Sequence, residues 1–218
     1  PKNWAKTDKF MMISTYINKQ LVGEFVDSPS CQAGHLPIDF KSGQFYKNPE
    51  KHLKGQIFGV KKSQLCKIVK CGEVLGTLTK EAAKATGLPE GLKMFAGGSD
   101  KSAETLGLGA VTDTTAAISY GTACSIEIPR TKYSDAEPFL PAYPGIINGT
   151  WDLDVQVYRG YWMLNWFAKE FGGKTVEKLL TEVDTINQLN KEMEKIQPGS
   201  EGLVLQPYWG PGLRRPLA

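Results

Sequence analysis

Gly97-Gly98-Ser99-Asp100-Lys101 follows the short apolar run Met94-Phe95-Ala96 and leads into residues 102–108, which have helical spacing. A run of this kind that passes through two glycines into an acid at the head of a helix reads as a strand-to-helix corner. In open α/β sheets, ligands gather at the carboxyl ends of strands, and glycine lets backbone come close to a ligand. A helix N-terminus favours negative charge, which suits Asp100 to accept a proton. The same letters also read as a simple cap, because Ser and Asp are among the best N-caps.

The second stretch is Tyr120-Gly121-Thr122-Ala123, a turn between the β-rich runs 114–119 and 124–128. Backbone N–H groups and a hydroxyl at such a turn can cradle a phosphate, although hairpins use these residues routinely. A carboxylate and a phosphate-sized turn are together what phosphoryl transfer to an alcohol needs. Neither a Walker A sequence nor a GxGxxG at a strand-to-helix turn occurs, so the common nucleotide fingerprints are missing.

Working outward, the 218 residues can bury a real core, as one large domain or two small ones. The chain is 41% hydrophobic and 22% charged, an ordinary globular composition. A net charge of +3 without a dense Lys/Arg block argues against a nucleic-acid partner. No apolar stretch is long enough to span a bilayer, so no membrane partner is expected and the cytoplasm is the expected location. Cys31, Cys66, Cys71 and Cys124 form no CxxC pair, which disfavours structural zinc and favours free thiols in a reducing compartment. The chain begins at Pro1 and stops after a Pro-rich polar turn, and reads as a piece of a longer protein.

The pattern of the remaining elements is a mixture of short strands and helices. Helices are expected over 7–23, capped at Thr7 or Asp8 and stopped by Gly23, and over 79–86, capped by Thr79 and stopped by Gly87. Short helices are expected at 48–55 and 61–65, a strand at 36–40 turning at Lys41-Ser42-Gly43, and an extended segment over 67–76. Beyond a Pro-rich loop at 129–144, a strand is expected at 145–151 and an aromatic-rich helix at 156–171. A further helix is expected at 175–196 and a buried strand at 202–206. Gly160, near the start of the aromatic helix, would leave room for a phosphate or a base. His35 reads as a loop or packing residue. The class is α/β, with a boundary near Gly109.

Taken in order, these features resemble the FGGY family of carbohydrate kinases, which have the actin-like, ribonuclease H-like ATPase fold. Residues 16–28 are similar to that family's helix and "LTGE…D-S" segment. Gly72-Glu73-Val74-Leu75-Gly76 with residues 79–91 is similar to its middle stretch. Gly97-Gly98-Ser99-Asp100 resembles its "G-G-G-D" segment, Ser119-Tyr120-Gly121-Thr122-Ala123 its phosphate turn, and residues 208–216 its "G-x-R-x-P" loop. The resemblance implies portions of two domains: 1–109 from the back of the first, sugar-binding domain and 110–218 from the front of the second, nucleotide-binding domain. It implies transfer of the γ-phosphoryl of ATP, with Mg2+, to a sugar hydroxyl, with Asp100 as general base.

In the same resemblance Lys101 flanks the sugar, where several members carry glutamine, and Gly121, Thr122, Gly160 and Asn165 contact the nucleotide. The middle segments read like xylulokinase relatives, so a ketopentose such as xylulose is the expected substrate, with gluconate, ribulose or another polyol as alternatives. The family's N-terminal phosphate loop falls upstream of Pro1 and its late adenosine motif beyond Ala218, so these 218 residues alone are expected to be inactive. A non-catalytic sugar- or partner-binding module is the reading from another class. Uncovered sheet edges would invite association, so a homodimer is an admissible state.

Overall fold

The structure is a computed structural model that describes residues 2–121, 123–137, 140–157, 159–160, 163–171 and 182–205. Its contacts separate into two units, one of Pro1–Ala117 with Glu127–Asp154 and one of Ile118–Ile126 with Val155–Ala218.

The first unit opens with α1 (Lys2–Ala5) and α2 (Ile13–Val22). The helix expected from residue 7 begins only at Ile13, because the preceding residues bond elsewhere. Thr7 Oγ1 donates to the Asn3 carbonyl at 3.1 Å, closing the turn of α1. The Phe10 N–H donates to the Gln64 carbonyl at 2.8 Å, drawing the chain out of helix. Gly23 ends α2 as expected: its φ of 78° is a left-handed cap, and its N–H bonds the Lys19 carbonyl.

β1 (Val26–Asp27) pairs in parallel with β4 (Lys67–Ile68). Between them stand α3 (Pro29–Gln32), the hairpin of β2 (Ile38–Asp39) and β3 (Gln44–Phe45), and α4 (Leu53–Phe58). β5 (Val74–Thr77) pairs antiparallel with β6 (Lys93–Phe95). α5 (Lys80–Thr86) lies between them, its Thr79 cap accepting the Ala82 N–H and its Gly87 at φ 77°, both as the sequence requires. The core cluster is Val26, Leu75 and Ala96, with Val22, Val69 and Met94 packed around it. Burying each large aliphatic chain there contributes roughly 1.5–3 kcal/mol. α6 (Asp100–Gly107) leaves β6 through the two glycines.

β7 (Ala117–Tyr120) and β8 (Cys124–Arg130) follow, and the expected loop at 129–144 in fact contains β9 (Asp135–Glu137), β10 (Leu140–Pro141) and β11 (Tyr143–Pro144). β12 is Trp151–Val157, in a four-stranded sheet of order β11-β12-β8-β7. The strand expected at 145–151 is thus displaced toward the C-terminus. Residues 145–150 form a turn instead, with Gly149 at φ 82° and the Gly145 N–H bonded to the Thr150 carbonyl.

In the second unit, Gln156 lies in β12 rather than in a helix, and α7 begins only at Met163 (Met163–Phe171), stacking Phe167 on Phe171 at 5.2 Å. α8 (Glu182–Met193) realises most of the described part of the helix expected at 175–196, which ends in a turn over 194–196; residues 175–181 lie outside the described residues. The buried strand expected at 202–206 is not found: Leu203, Val204 and Leu205 are 69–85% exposed and outside any strand. An apolar run becomes a buried strand only where another layer covers it, and none does so among the described residues. The described elements are a mixture of short strands and helices, the α/β class that the sequence predicts.

Candidate active site

Asp100 is the first residue of α6, exposed, with Ser99 as its cap. The cap is genuine: Ser99 Oγ accepts the Ser102 N–H at 3.2 Å, and Asp100 Oδ1 accepts the Lys101 N–H at 2.8 Å. Both uses that the sequence allowed are therefore compatible, because Ser99 caps and leaves the Asp100 carboxylate outward.

The two glycines before it do different things. A Cβ on Gly98 would come within 3.0 Å of Ile146 Cβ and Cγ1, so Gly98 permits close packing. A Cβ on Gly97 would meet nothing within 4 Å, leaving its backbone open beside the acid.

Behind α6 lies a buried polar cluster. Ser30 Oγ, on α3, accepts the Ser99 N–H at 3.0 Å and stands 3.1 Å from Ser102 Oγ. Ser102 Oγ donates to Asp152 Oδ2, on β12, at 2.8 Å. Ser30, Ser102 and Asp152 are each at most 5% exposed. Burial pushes the Asp152 carboxyl up from its ordinary range, against the stabilising Ser102 hydroxyl. Glu127, on β8, is also buried, and its carboxyl is pushed up to about 8, first by burial and then by the neighbouring Asp154 charge. Glu127 therefore holds its proton more tightly than a free carboxyl does. Sequence reading passed over this cluster. One signal was available, since Asp152 and Asp154 alternate and so share one face of a strand.

Lys101 points along its own helix and pairs with Glu104 at 2.8 Å, which pushes the ammonium up. A half-exposed pair like this is worth about 0.2–1 kcal/mol, so a ligand could displace it.

A second buried acid organises the region before α6. Asp27 Oδ2 accepts from Ser14, Thr15 and Gln32 at 2.6, 2.7 and 2.7 Å, and Oδ1 accepts the Ser28 N–H at 2.8 Å. The Cys31 and Cys66 thiols nearby are pushed up to about 11 and about 12, chiefly by burial and further by Asp27. They remain protonated, and all four cysteines are free thiols, as expected. His35 Nδ1 contacts the Ala33 carbonyl at 3.2 Å and takes no part in the cluster.

In the second unit, Gly121 and Gly160 are brought together. A Cβ on Gly160 would lie 2.2 Å from the Gly121 carbonyl oxygen and 2.6 Å from the Ala123 carbonyl carbon. The space above Gly160, which the sequence suggested for a phosphate or base, is taken up by the backbone of the Gly121 turn. Asn165 is on α7, and Thr122 lies outside the described residues, as do residues 208–216. A concavity of about 740 Å³ bounded by Lys47, Glu50, Gln56, Lys61 and Lys62 includes none of these residues. No helix among the described residues is long and apolar enough to cross a membrane.

Residues 1–107 match the profile of the FGGY family of carbohydrate kinases, N-terminal domain. The xylulose kinase of Lactococcus lactis is 28% identical over 95% of this chain and 39% of its own length. The gluconokinase of Bacillus subtilis is 27% identical over 98% of this chain and 40% of its own. Among solved structures, the xylulose kinase of Rhodospirillum rubrum superposes with a TM-score of 0.75 at 25% identity, over 92% of this chain and 39% of that one. The glycerol kinase of Plasmodium falciparum with ADP shares the fold at a TM-score of 0.66 and 14% identity, over 96% of this chain and 42% of that one. The chain spans about two-fifths of the length of the relatives it matches.

Proposed function

We propose that this chain, which belongs through residues 1–107 to the FGGY family of carbohydrate kinases, is part of an enzyme that phosphorylates a sugar hydroxyl at the expense of ATP. Residues 1–109 supply the back of its sugar-binding domain and 110–218 the front of its nucleotide-binding domain. The observation that carries this reading is Asp100: an exposed carboxylate on the first turn of a helix, beside the open backbone of Gly97, inside the matched region.

ATP bound with Mg2+ supplies the phosphoryl group, and its charge is spread over phosphate oxygens in a loose transition state. Mg2+ in kinases is held mostly by phosphates and water with one or two carboxylates. A protein cage of three or more ligands is absent among the described residues and is not called for. Asp100 accepts the hydroxyl proton as the sugar oxygen takes up the phosphoryl group. The open face of Gly97 gives the sugar backbone-close access to that carboxylate, and Lys101, released from Glu104, would flank it. Gly121, Thr122, Gly160 and Asn165 form the nucleotide side. There the Gly160 position acts by supporting the Gly121 turn, whose N–H closes on the Ala123 carbonyl.

The substrate is a ketopentose such as xylulose, supported by the xylulose kinases among the relatives. Gluconate is the second candidate, because the gluconokinase is nearly as similar. Steady-state phosphorylation of xylulose, ribulose and gluconate by the full-length protein discriminates them through kcat/KM. Asp100→Asn is expected to lower kcat by about 10²–10⁴ with little change in KM for ATP. Substantially retained turnover would remove Asp100 from the role of base.

A further inference from the structure

An ordinary helix cap needs one side chain, and Ser99 already provides it. Here the cap is held in addition from two distant elements, through α3 by Ser30 and through β12 by Asp152. Each serine has one hydroxyl proton to give. Ser102 gives its proton to Asp152 Oδ2, so Ser102 Oγ is left to accept from Ser30 Oγ at 3.1 Å and from Ser99 Oγ at 3.2 Å. With their protons spent on Ser102, Ser30 Oγ is left to accept the Ser99 N–H, and Ser99 Oγ to accept the Ser102 N–H. Every hydroxyl proton in the network has an acceptor, and the direction of the chain follows from the Asp152 carboxylate at its end. Without Asp152, the Ser102 proton turns back onto Ser30 or Ser99, whose own proton can then no longer be given to Ser102, and one of the links that tie the first turn of α6 to its neighbours is left without its acceptor.

We propose that Asp152 and Ser30 are positioning residues for the Asp100 carboxylate, holding the first turn of α6 through Ser102 and Ser99. This rests on the reading of Asp100 as the base. Neither residue touches substrate. Their effect is to narrow the directions in which Asp100 can meet a sugar hydroxyl, and a displacement of about 1 Å at such a group costs on the order of 10²-fold in rate. The network also gives a reason for a buried acid at Asp152, where burial opposes its ionisation.

The test uses the full-length protein. Asp152→Ala is expected to lower kcat for the preferred sugar by about 10–100-fold, with KM for ATP unchanged. Asp152→Asn, whose Oδ1 still accepts from Ser102, recovers most of that loss. In an Asp100→Asn background, Asp152→Ala has no further effect on the residual turnover, because the group it positions is already gone. Amide hydrogen exchange at Ser99 and Ser102 quickens in Asp152→Ala and in Ser30→Ala, and the second variant decides the matter if the first does not fold. Wild-type kcat with unchanged exchange in a folded variant overturns the proposal. So does a loss of kcat as large in the Asp100→Asn background as in the wild type, which would mark a general structural role. Full activity of Asp100→Asn alone overturns the base assignment instead, and the exchange rates still decide whether Asp152 holds the turn.

Discussion

Replacing Gly160 by alanine sets the sharpest demand on this structure. The added Cβ would lie 2.2 Å from the Gly121 carbonyl oxygen, 2.6 Å from the Ala123 carbonyl carbon and 2.7 Å from its oxygen. All three are backbone atoms, so no rotamer change relieves the contact. Restoring an ordinary separation requires the Gly121 turn to retreat by about 1 Å. That movement strains the bond from the Gly121 N–H to the Ala123 carbonyl, now 2.9 Å, which closes the turn between β7 and β8. Overpacking of this kind costs about 1–3 kcal/mol, and the absence of any yielding side chain puts Gly160→Ala at about 3 kcal/mol. For a domain of this size that is a fall in Tm of roughly 6–12 °C. Gly121→Ala is the control: its Cβ would meet only the Ala123 carbonyl oxygen, at an ordinary 3.7 Å. Thermal unfolding of the full-length protein by circular dichroism, with ATP affinity by calorimetry, reads both. Gly160→Ala melting with the wild type would refute the packing argument. Unchanged melting with lost ATP affinity would show that Gly160 meets the nucleotide directly.

Two further outcomes follow from the first unit. Gly98→Ala presses on Ile146 at 3.0 Å and is expected to cost about 1–2 kcal/mol of stability, whereas Gly97→Ala, facing open space, leaves the denaturation midpoint near wild type and instead lowers kcat/KM for the sugar. Equal effects of the two on stability would contradict the different surroundings of the two glycines. Glu127, pushed from 4.5 to about 8, binds a proton in the folded state that the unfolded chain releases, so its contribution to stability is fully present below pH 4.5 and is lost as pH rises through about 8. Urea denaturation across that window should show the wild type losing stability as pH rises. Glu127→Gln, which holds its hydrogen permanently, should show a flatter profile, and identical profiles would refute the assignment of the proton to Glu127.

The local elements that the sequence made legible are those whose signals are complete within a few residues. α5 has its cap at Thr79 and its left-handed stop at Gly87, and both were readable because the bonds they make are to their own helix. The helix at Ile13–Val22 was misplaced at its start because Thr7 and Phe10 are claimed by Asn3 and by Gln64, the second far away in sequence. The strand expected at 145–151 was displaced because the boundary of β12 is set by pairing across the sheet and not by neighbouring residues. At the candidate site, Asp100 and its glycines stand out through order and spacing. Ser30 does not, because a lone buried serine has no local pattern, and the alternation of Asp152 with Asp154 marks a strand face without saying that it meets α6.

The amino-acid sequence by itself determined the α/β class, the corner that puts Asp100 on the first turn of α6, and the resemblance that places this corner in a family. Those are properties of neighbouring residues: periodicity, capping and the order of short motifs. Only the tertiary structure decided which surfaces meet. It set Gly98 against Ile146 and left Gly97 open, filled the space over Gly160 with the Gly121 turn, and joined Ser30, Ser99, Ser102 and Asp152 into one network. Close packing and hydrogen-bond satisfaction are conditions on atoms from distant parts of the chain, and they take a value only once the chain has folded.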